Sequence, residues 1–132
     1  MIVKANEESE AGIMPTEEQL AEMGTYNEQL VKAGMLLDGA GLHASSDGAR
    51  VKFSGGKPTV IPGPFGEPES LLAGYWIIKA DSKEEAIEWA KRIPFKEGEV
   101  ELRRFFEPED FVQGPAMERE MELWKELEAT RS

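Results

Sequence analysis

The 132-residue chain predicts an α+β fold, in which helices cover an antiparallel sheet. Two strand–helix–strand units follow one another, and each helix begins with a capping-box signal. A glycine pair, Gly55-Gly56, lies between the units and is typical of a tight β-hairpin. Right-handed crossovers leave few arrangements for two such units. A ferredoxin-like sandwich with an inserted hairpin is the arrangement we expect.

The first unit occupies the N-terminal third of the chain. Ile2–Ala5 reads as a short strand, and the polar segment Asn6–Met14 reads as a loop. Thr16 is a suitable N-cap, so the spacing of apolar residues predicts a helix over 16–33. Met35–Asp38 follows directly and reads as a buried strand.

The middle of the chain predicts a hairpin and then a central strand. Arg50–Ser54 alternates polar and apolar residues, and Lys57–Ile61 is its partner across the glycine pair. Leu71–Ala80 is the longest apolar run and is apolar on both faces. Helices can cover one face of this strand. We expect a second subunit to cover the other, which predicts a homodimer.

The second unit is followed by an additional helix. Ser82 is a capping-box N-cap, Pro94 ends the helix, and the alternation from Val100 to Phe105 predicts a last strand. A third long helix is predicted over 115–130. We expect it to dock on its own sheet or on a partner through an apolar face made of Met117, Met121, Trp124 and Leu127.

Composition restricts the classes of partner. The chain has 26 acidic and 15 basic residues and a formal net charge of −11, which argues against nucleic acid. No apolar run approaches the ~20 residues of a membrane span. One histidine and no cysteine argue against a metal site and suit a cytoplasmic location. Walker A and dinucleotide-binding glycine motifs are absent, so no cofactor is expected.

Several motifs recur in an order that is typical of one family. The chain resembles the YCII-related family, in its DGPF-containing branch, over residues 1–111, with residues 112–132 as a C-terminal helical extension. The resemblance implies a dimeric α/β barrel, in which two ferredoxin-like sheets face each other and form a cleft. The matching segments are Met23–Leu30, Leu42-His43, Ser45–Gly56, Gly63-Pro64-Phe65, Ala86–Ala90 and Phe106–Phe111.

The resemblance also implies a proton-transfer pair of histidine and aspartate, and it assigns the histidine to His43. His43 is the one side chain whose ordinary pKa lies near neutral pH, which suits a general base. The aspartate that usually precedes the Gly-Pro-Phe turn is Pro62 here. Glu67, three residues past Gly63-Pro64, or Asp38 is therefore the expected acid. The alternative is that His43 only holds its loop in place.

Three further residues are candidates for substrate binding. Arg50 opens the hairpin and can clamp a carboxylate or phosphate, although such an arginine more often pairs with a neighbouring acid. Phe65 offers apolar area beside the turn. Tyr75 and Trp76 lie on opposite faces of their strand, so one belongs to the core and the other to the cleft; we assign Trp76 to substrate binding.

Three functions remain open from the sequence. The first is a small-molecule enzyme of proton-transfer or lyase type that uses His43 in the dimer cleft. The second is a non-catalytic module that binds a small ligand in the same cleft. The third is a dimeric interaction module. Replacement of the family aspartate by Pro62 shifts weight from the first toward the second.

Overall fold

The computed structural model describes residues 1–131, which form six strands and four α-helices. The strands are β1 (Ile2–Lys4), β2 (Leu36–Gly41), β3 (Ala49–Ser54), β4 (Lys57–Pro62), β5 (Leu72–Ile78) and β6 (Val100–Glu101). The helices are α1 (Glu7–Glu10), α2 (Glu17–Lys32), α3 (Lys83–Lys91) and α4 (Pro115–Arg131). Single 3₁₀ turns occupy Ser45–Asp47, Pro68–Ser70 and Pro108–Asp110.

Four strands form one antiparallel sheet in the order β2-β5-β1-β6, and β3 and β4 form a separate two-stranded hairpin. Without the hairpin, the chain order is strand–helix–strand–strand–helix–strand, and the first and third strands are neighbours. The α+β prediction and the ferredoxin-like arrangement are therefore confirmed. Over residues 1–131 the sheet is open and does not close on itself as a barrel.

The core lies between one face of the sheet and helices α2 and α3. Leu30 is fully buried, and Tyr26 and Trp76 meet edge to face with their ring centroids 5.6 Å apart. The Tyr26 hydroxyl donates to the Trp89 carbonyl at 2.8 Å, and the Trp76 indole N–H donates to the Asn27 side-chain oxygen at 2.8 Å. Burial raises the pKa of Tyr26 to about 12, against the opposing charge of Arg92. Both polar groups of this cluster are therefore satisfied.

The structure differs from the sequence prediction in three segments. The segment predicted as a loop over 6–14 contains α1, because Asn6 and Ser9 form a reciprocal capping box. Strand β2 is exposed from Leu37 onward instead of buried, because it lies at the edge of the sheet. It also runs on to Gly41, since Gly74 of β5 lets the Ala40 carbonyl come close. Strand β6 ends at Glu101 instead of Phe105, because its partner β1 is only three residues long.

The predicted C-terminal helix is present as α4. Met117 and Met121 are half-buried, whereas Trp124 is 58% exposed and Leu127 is 37% exposed. Its docking through this face, on its own sheet or on a partner, stays a prediction. No helix within residues 1–131 has the length and hydropathy that crossing a bilayer requires.

The base of the hairpin packs on the turn that follows β2. The Gly63 N–H donates to the Gly48 carbonyl at 3.0 Å, and the Gly63–Pro64 peptide bond is cis. A Cβ atom added at Gly63 would overlap the Ser45 carbonyl oxygen. Position 63 therefore has no room for a side chain while the two turns stay together.

The two predicted N-caps are confirmed and give a stability test. Thr16 accepts from the Gln19 N–H at 3.1 Å, and Ser82 accepts from the Glu85 N–H at 3.1 Å. Thr16→Ala and Ser82→Ala should each lower the free energy of unfolding by roughly 0.5–2 kcal/mol, because each leaves a first-turn N–H without its acceptor. Urea midpoints measure the loss. The conservative changes Thr16→Ser and Ser82→Thr keep the acceptor and should lose less, and equal midpoints for all four variants would contradict the assignment.

A second stability test uses the close contact at the hairpin base. Gly63→Ala should lower the urea midpoint, since the new Cβ overlaps the Ser45 carbonyl and forces the two turns apart. Gly24→Ala is the matched control, because Gly24 lies within α2 and an added Cβ there meets nothing within 4 Å. This control should gain roughly 0.5–1 kcal/mol from the better helix propensity of alanine. A Gly63→Ala variant as stable as the wild type would show that the turns do not need this contact.

Candidate functional site

The His43 ring lies on the turn that connects β2 to the hairpin. Its side chain is 87% exposed, and its Nδ1 lies 3.5 Å from Oδ2 of Asp47, which is 71% exposed. Within residues 1–131, Asp47 is the acid within 4.0 Å of the ring nitrogens. An acid therefore lies beside His43, and among the described residues it is Asp47 and neither Glu67 nor Asp38. A catalytic role for His43 stays a prediction.

A carboxylate from α1 holds this turn. Glu10 accepts a hydrogen bond from the Ser45 N–H at 2.9 Å and a second from the Ser45 hydroxyl. The Ser45 hydroxyl oxygen in turn accepts from the Phe65 N–H at 3.3 Å. Glu10 and Ser45 are only half-buried, but their contacts join three segments that are far apart in sequence.

Arg50 and Phe65 form the second part of the site. The guanidinium carbon of Arg50 lies 4.0 Å above the centroid of the Phe65 ring, a cation–π contact. No carboxylate of the described residues lies within salt-bridge distance of Arg50. Because the Phe65 N–H donates to the Ser45 hydroxyl oxygen, Arg50 is linked through Phe65 to the turn that carries His43. The structure thus brings Arg50 and Phe65, two of the residues that the sequence singled out, into contact, and it joins Phe65 to the turn that follows His43.

Glu67 lies beyond this group. It precedes the 3₁₀ turn at Pro68–Ser70, where its backbone carbonyl accepts from the Ser70 N–H at 2.9 Å and from the Ser70 hydroxyl at 2.8 Å. Its side chain is exposed, and no ion pair joins it to His43 or Arg50 within residues 1–131. The geometry gives Glu67 the surroundings of a solvated loop acid.

Trp76 has the surroundings of a core residue. It is 9% exposed and packs between Tyr26 and Phe95, with its ring centroid 6.4 Å from that of Phe95. Tyr75, its neighbour on β5, points to the opposite face of the sheet and is half-buried. Of the two aromatic residues, Trp76 is therefore the one that belongs to the core.

Sequence reasoning missed three residues of the site: Glu10, Ser45 and Asp47. Asp47 was detectable, because a residue four positions after a histidine is within reach when the backbone turns. Glu10 gave no signal, since its partner is 35 residues away and its segment read as a loop. Only the packing of α1 on the turn brings the two together.

Two grooves of the described surface lie away from the His43 turn. One of about 460 Å³ runs between α3 and β6, where Ile87, Phe95 and Leu102 contribute apolar walls and Lys83 and Lys91 contribute charge. Within residues 1–131 no three acidic, histidine or cysteine side chains converge as a metal site would require. The candidate site therefore offers a histidine beside a carboxylate on the His43 turn. It also offers the guanidinium of Arg50 on β3, which has no carboxylate partner among the described residues.

Comparisons with known proteins agree with this architecture. The model of the YCII-related domain matches residues 1–108. An uncharacterized protein of Rhizobium meliloti (strain 1021), R00369, is 29% identical over 91 residues, which span 67% of this chain and 73% of that protein. The family match covers the whole sheet, the hairpin and the His43 turn, and it ends before α4. The chain therefore belongs to the YCII-related family.

Proposed function

We propose that this YCII-related protein is a homodimer that binds a small anionic molecule beside the His43 turn and transfers a proton to or from it. The observation that carries the proposal is the His43–Asp47 pair, with its 3.5 Å separation on a turn held by side-chain hydrogen bonds. A general base needs a titrating group near neutral pH and a partner that orients it. Asp47 supplies the orienting carboxylate, because Pro62 stands where the family usually has its aspartate.

The ligand class follows from Arg50. Its guanidinium carbon lies 4.0 Å above the centroid of the Phe65 ring, and its N–H donors have no carboxylate partner among the described residues. A planar guanidinium binds carboxylates and phosphates through two parallel hydrogen bonds. Arg50 therefore suits the anionic group of a ligand, and His43 suits a carbon or heteroatom acid close to that group.

The homodimer is supported by the area that the single chain exposes. Its accessible surface is 10,562 Å², about 3,600 Å² more than the roughly 6,900 Å² that a compact monomer of 14.7 kDa exposes. On the hairpin, Val51, Phe53 and Val60 share one face and are 51%, 72% and 66% exposed. Obligate homodimers bury ~2,000–5,000 Å² in total, mostly apolar, which is ~1,000–2,500 Å² on each chain, so a second copy accounts for up to about two thirds of this excess.

A second candidate is a binding module without catalysis. The high exposure of His43 and the absence of an enclosing wall around it in the single chain favour this alternative, because general base catalysis gains from exclusion of water. Catalysis is favoured over this alternative only if the second subunit of the proposed dimer covers His43.

We also propose a cytoplasmic location without nucleic acid partners, since a cysteine-free chain of net charge −11 suits both.

Ligand binding and proton transfer can be measured without knowledge of the reaction. A thermal-shift screen of small carboxylate- and phosphate-bearing metabolites should give hits that stabilise the wild type, by ~2.7 kcal/mol at a concentration 100 times the Kd. Proton NMR in D₂O should then show loss of a C–H signal of the hit. His43→Gln should slow this exchange by ~10²–10⁴-fold and keep binding, because it removes the base.

The matched control separates the anion site from general charge. Arg50→Gln should weaken binding of the hits, whereas Lys52→Gln removes the same charge from the same strand, two residues along, and should leave binding unchanged. Binding without any deuterium exchange would support the non-catalytic alternative. Equal binding by both variants would contradict the role of Arg50.

The dimer has a test of its own. Sedimentation equilibrium should give twice the 14.7 kDa mass of the chain at tens of micromolar. Phe53→Glu should shift the protein toward monomer, because it places a charge on the apolar hairpin face. Val31→Glu, at a residue 62% exposed on α2, is the matched control and should remain dimeric. A wild-type mass of one chain would contradict the proposal.

A further inference from the structure

Glu10 is the one acid among the described residues whose carboxylate accepts from both the backbone N–H and the hydroxyl of a single serine. Its carboxylate accepts from both donors of Ser45, the backbone N–H at 2.9 Å and the hydroxyl. Helix α1 holds Glu10 at its last position and is itself fixed by the Asn6–Ser9 capping box. The carboxylate therefore approaches the His43 turn from an element that has its own local stabilisation.

The same contact reaches a second turn. The Ser45 hydroxyl oxygen accepts from the Phe65 N–H at 3.3 Å, and the Ser45 carbonyl packs against Gly63. Phe65 is the ring on which Arg50 lies. Both turns of the proposed site are thus joined through Ser45, and Ser45 is held by Glu10.

We propose that Glu10 is the positioning residue of the His43 site. It fixes the backbone of the turn at Ser45, midway between His43 and Asp47, and through the Ser45 hydroxyl it sets the distance of that turn from Phe65 and Arg50. The part of this inference that concerns the ligand rests on the proposed function; the part that concerns the two turns does not.

The chemistry of the contact makes one variant especially informative. Only a carboxylate accepts from two donors at once with both of its oxygens; the amide of glutamine offers one acceptor oxygen and one donor group. Glu10→Gln therefore keeps the size of the side chain and leaves one Ser45 donor without a partner. Because the contact is charge-assisted, its loss should be larger than that of a neutral hydrogen bond.

Amide hydrogen exchange tests the first link. In Glu10→Gln the Ser45 amide should exchange at least about tenfold faster than in the wild type, which corresponds to about 1.4 kcal/mol. Ser45→Ala, a second variant, should accelerate the Phe65 amide instead. Glu8→Gln removes the same charge from the same helix and should change neither amide. The Leu30 amide, in the core part of α2, serves as the reference for global unfolding.

The ring of His43 tests the second link, and because it is the single histidine of the chain its NMR signal needs no assignment. In Glu10→Gln the His43 Hε1 resonance should move toward its position in the urea-unfolded protein, while Glu8→Gln keeps the wild-type position. An unchanged Ser45 amide and an unchanged ring signal overturn the proposal. Equal acceleration of the Ser45 and Leu30 amides also overturns it, since Glu10 would then act on the whole fold.

These measurements need no ligand, so they separate the two proposals. If Ser45 and His43 respond to Glu10→Gln but no metabolite binds the wild type, the positioning role is supported and the proposed function fails. If a metabolite binds and exchanges deuterium equally well in the wild type and in Glu10→Gln, the functional part of the positioning role is overturned and the proposed function stands.

Discussion

The fold depends most on strand β5, which pairs with a strand on each edge and packs against α2 on one face. It pairs with β1 on one edge and with β2 on the other, so it is the one strand that unites the two strand–helix–strand units. Trp76 anchors it to α2 through its packing on Tyr26 and its hydrogen bond to Asn27. A buried aromatic ring with a satisfied N–H gives both apolar burial and orientation. The end of β2, and with it the His43 turn, is placed by this pairing.

Local signals in the sequence were sufficient for most of the fold. Thr16 and Ser82 identified the starts of α2 and α3, and Gly55-Gly56 identified the hairpin. Caps and tight turns can be predicted in this way because they depend on neighbouring residues alone. The extension of β2 to Gly41 could not be predicted in this way. It depends on Gly74, a residue 33 positions later that permits close approach of the Ala40 carbonyl.

The candidate site shows the same division between local and distant contacts. His43 could be found from its type, and Arg50 with Phe65 from the motifs around the hairpin. Glu10 could not, because a carboxylate in a polar segment has no distinguishing spacing until its partner is known. The candidate residues for chemistry were therefore easier to predict than Glu10, because the contact of Glu10 with Ser45 depends on tertiary packing.

The contact between Gly63 and the Ser45 carbonyl has a consequence for how this surface can diversify among descendants of the chain. A steric conflict between two side chains can be relieved by a second substitution that shrinks one of them. Here the obstructing atom belongs to the backbone, so no replacement at position 45 opens space at position 63. Substitutions can alter the serine hydroxyl, the histidine or the arginine one at a time, but a side chain at position 63 requires the two turns themselves to separate, as they would after an insertion or deletion that moves one of them.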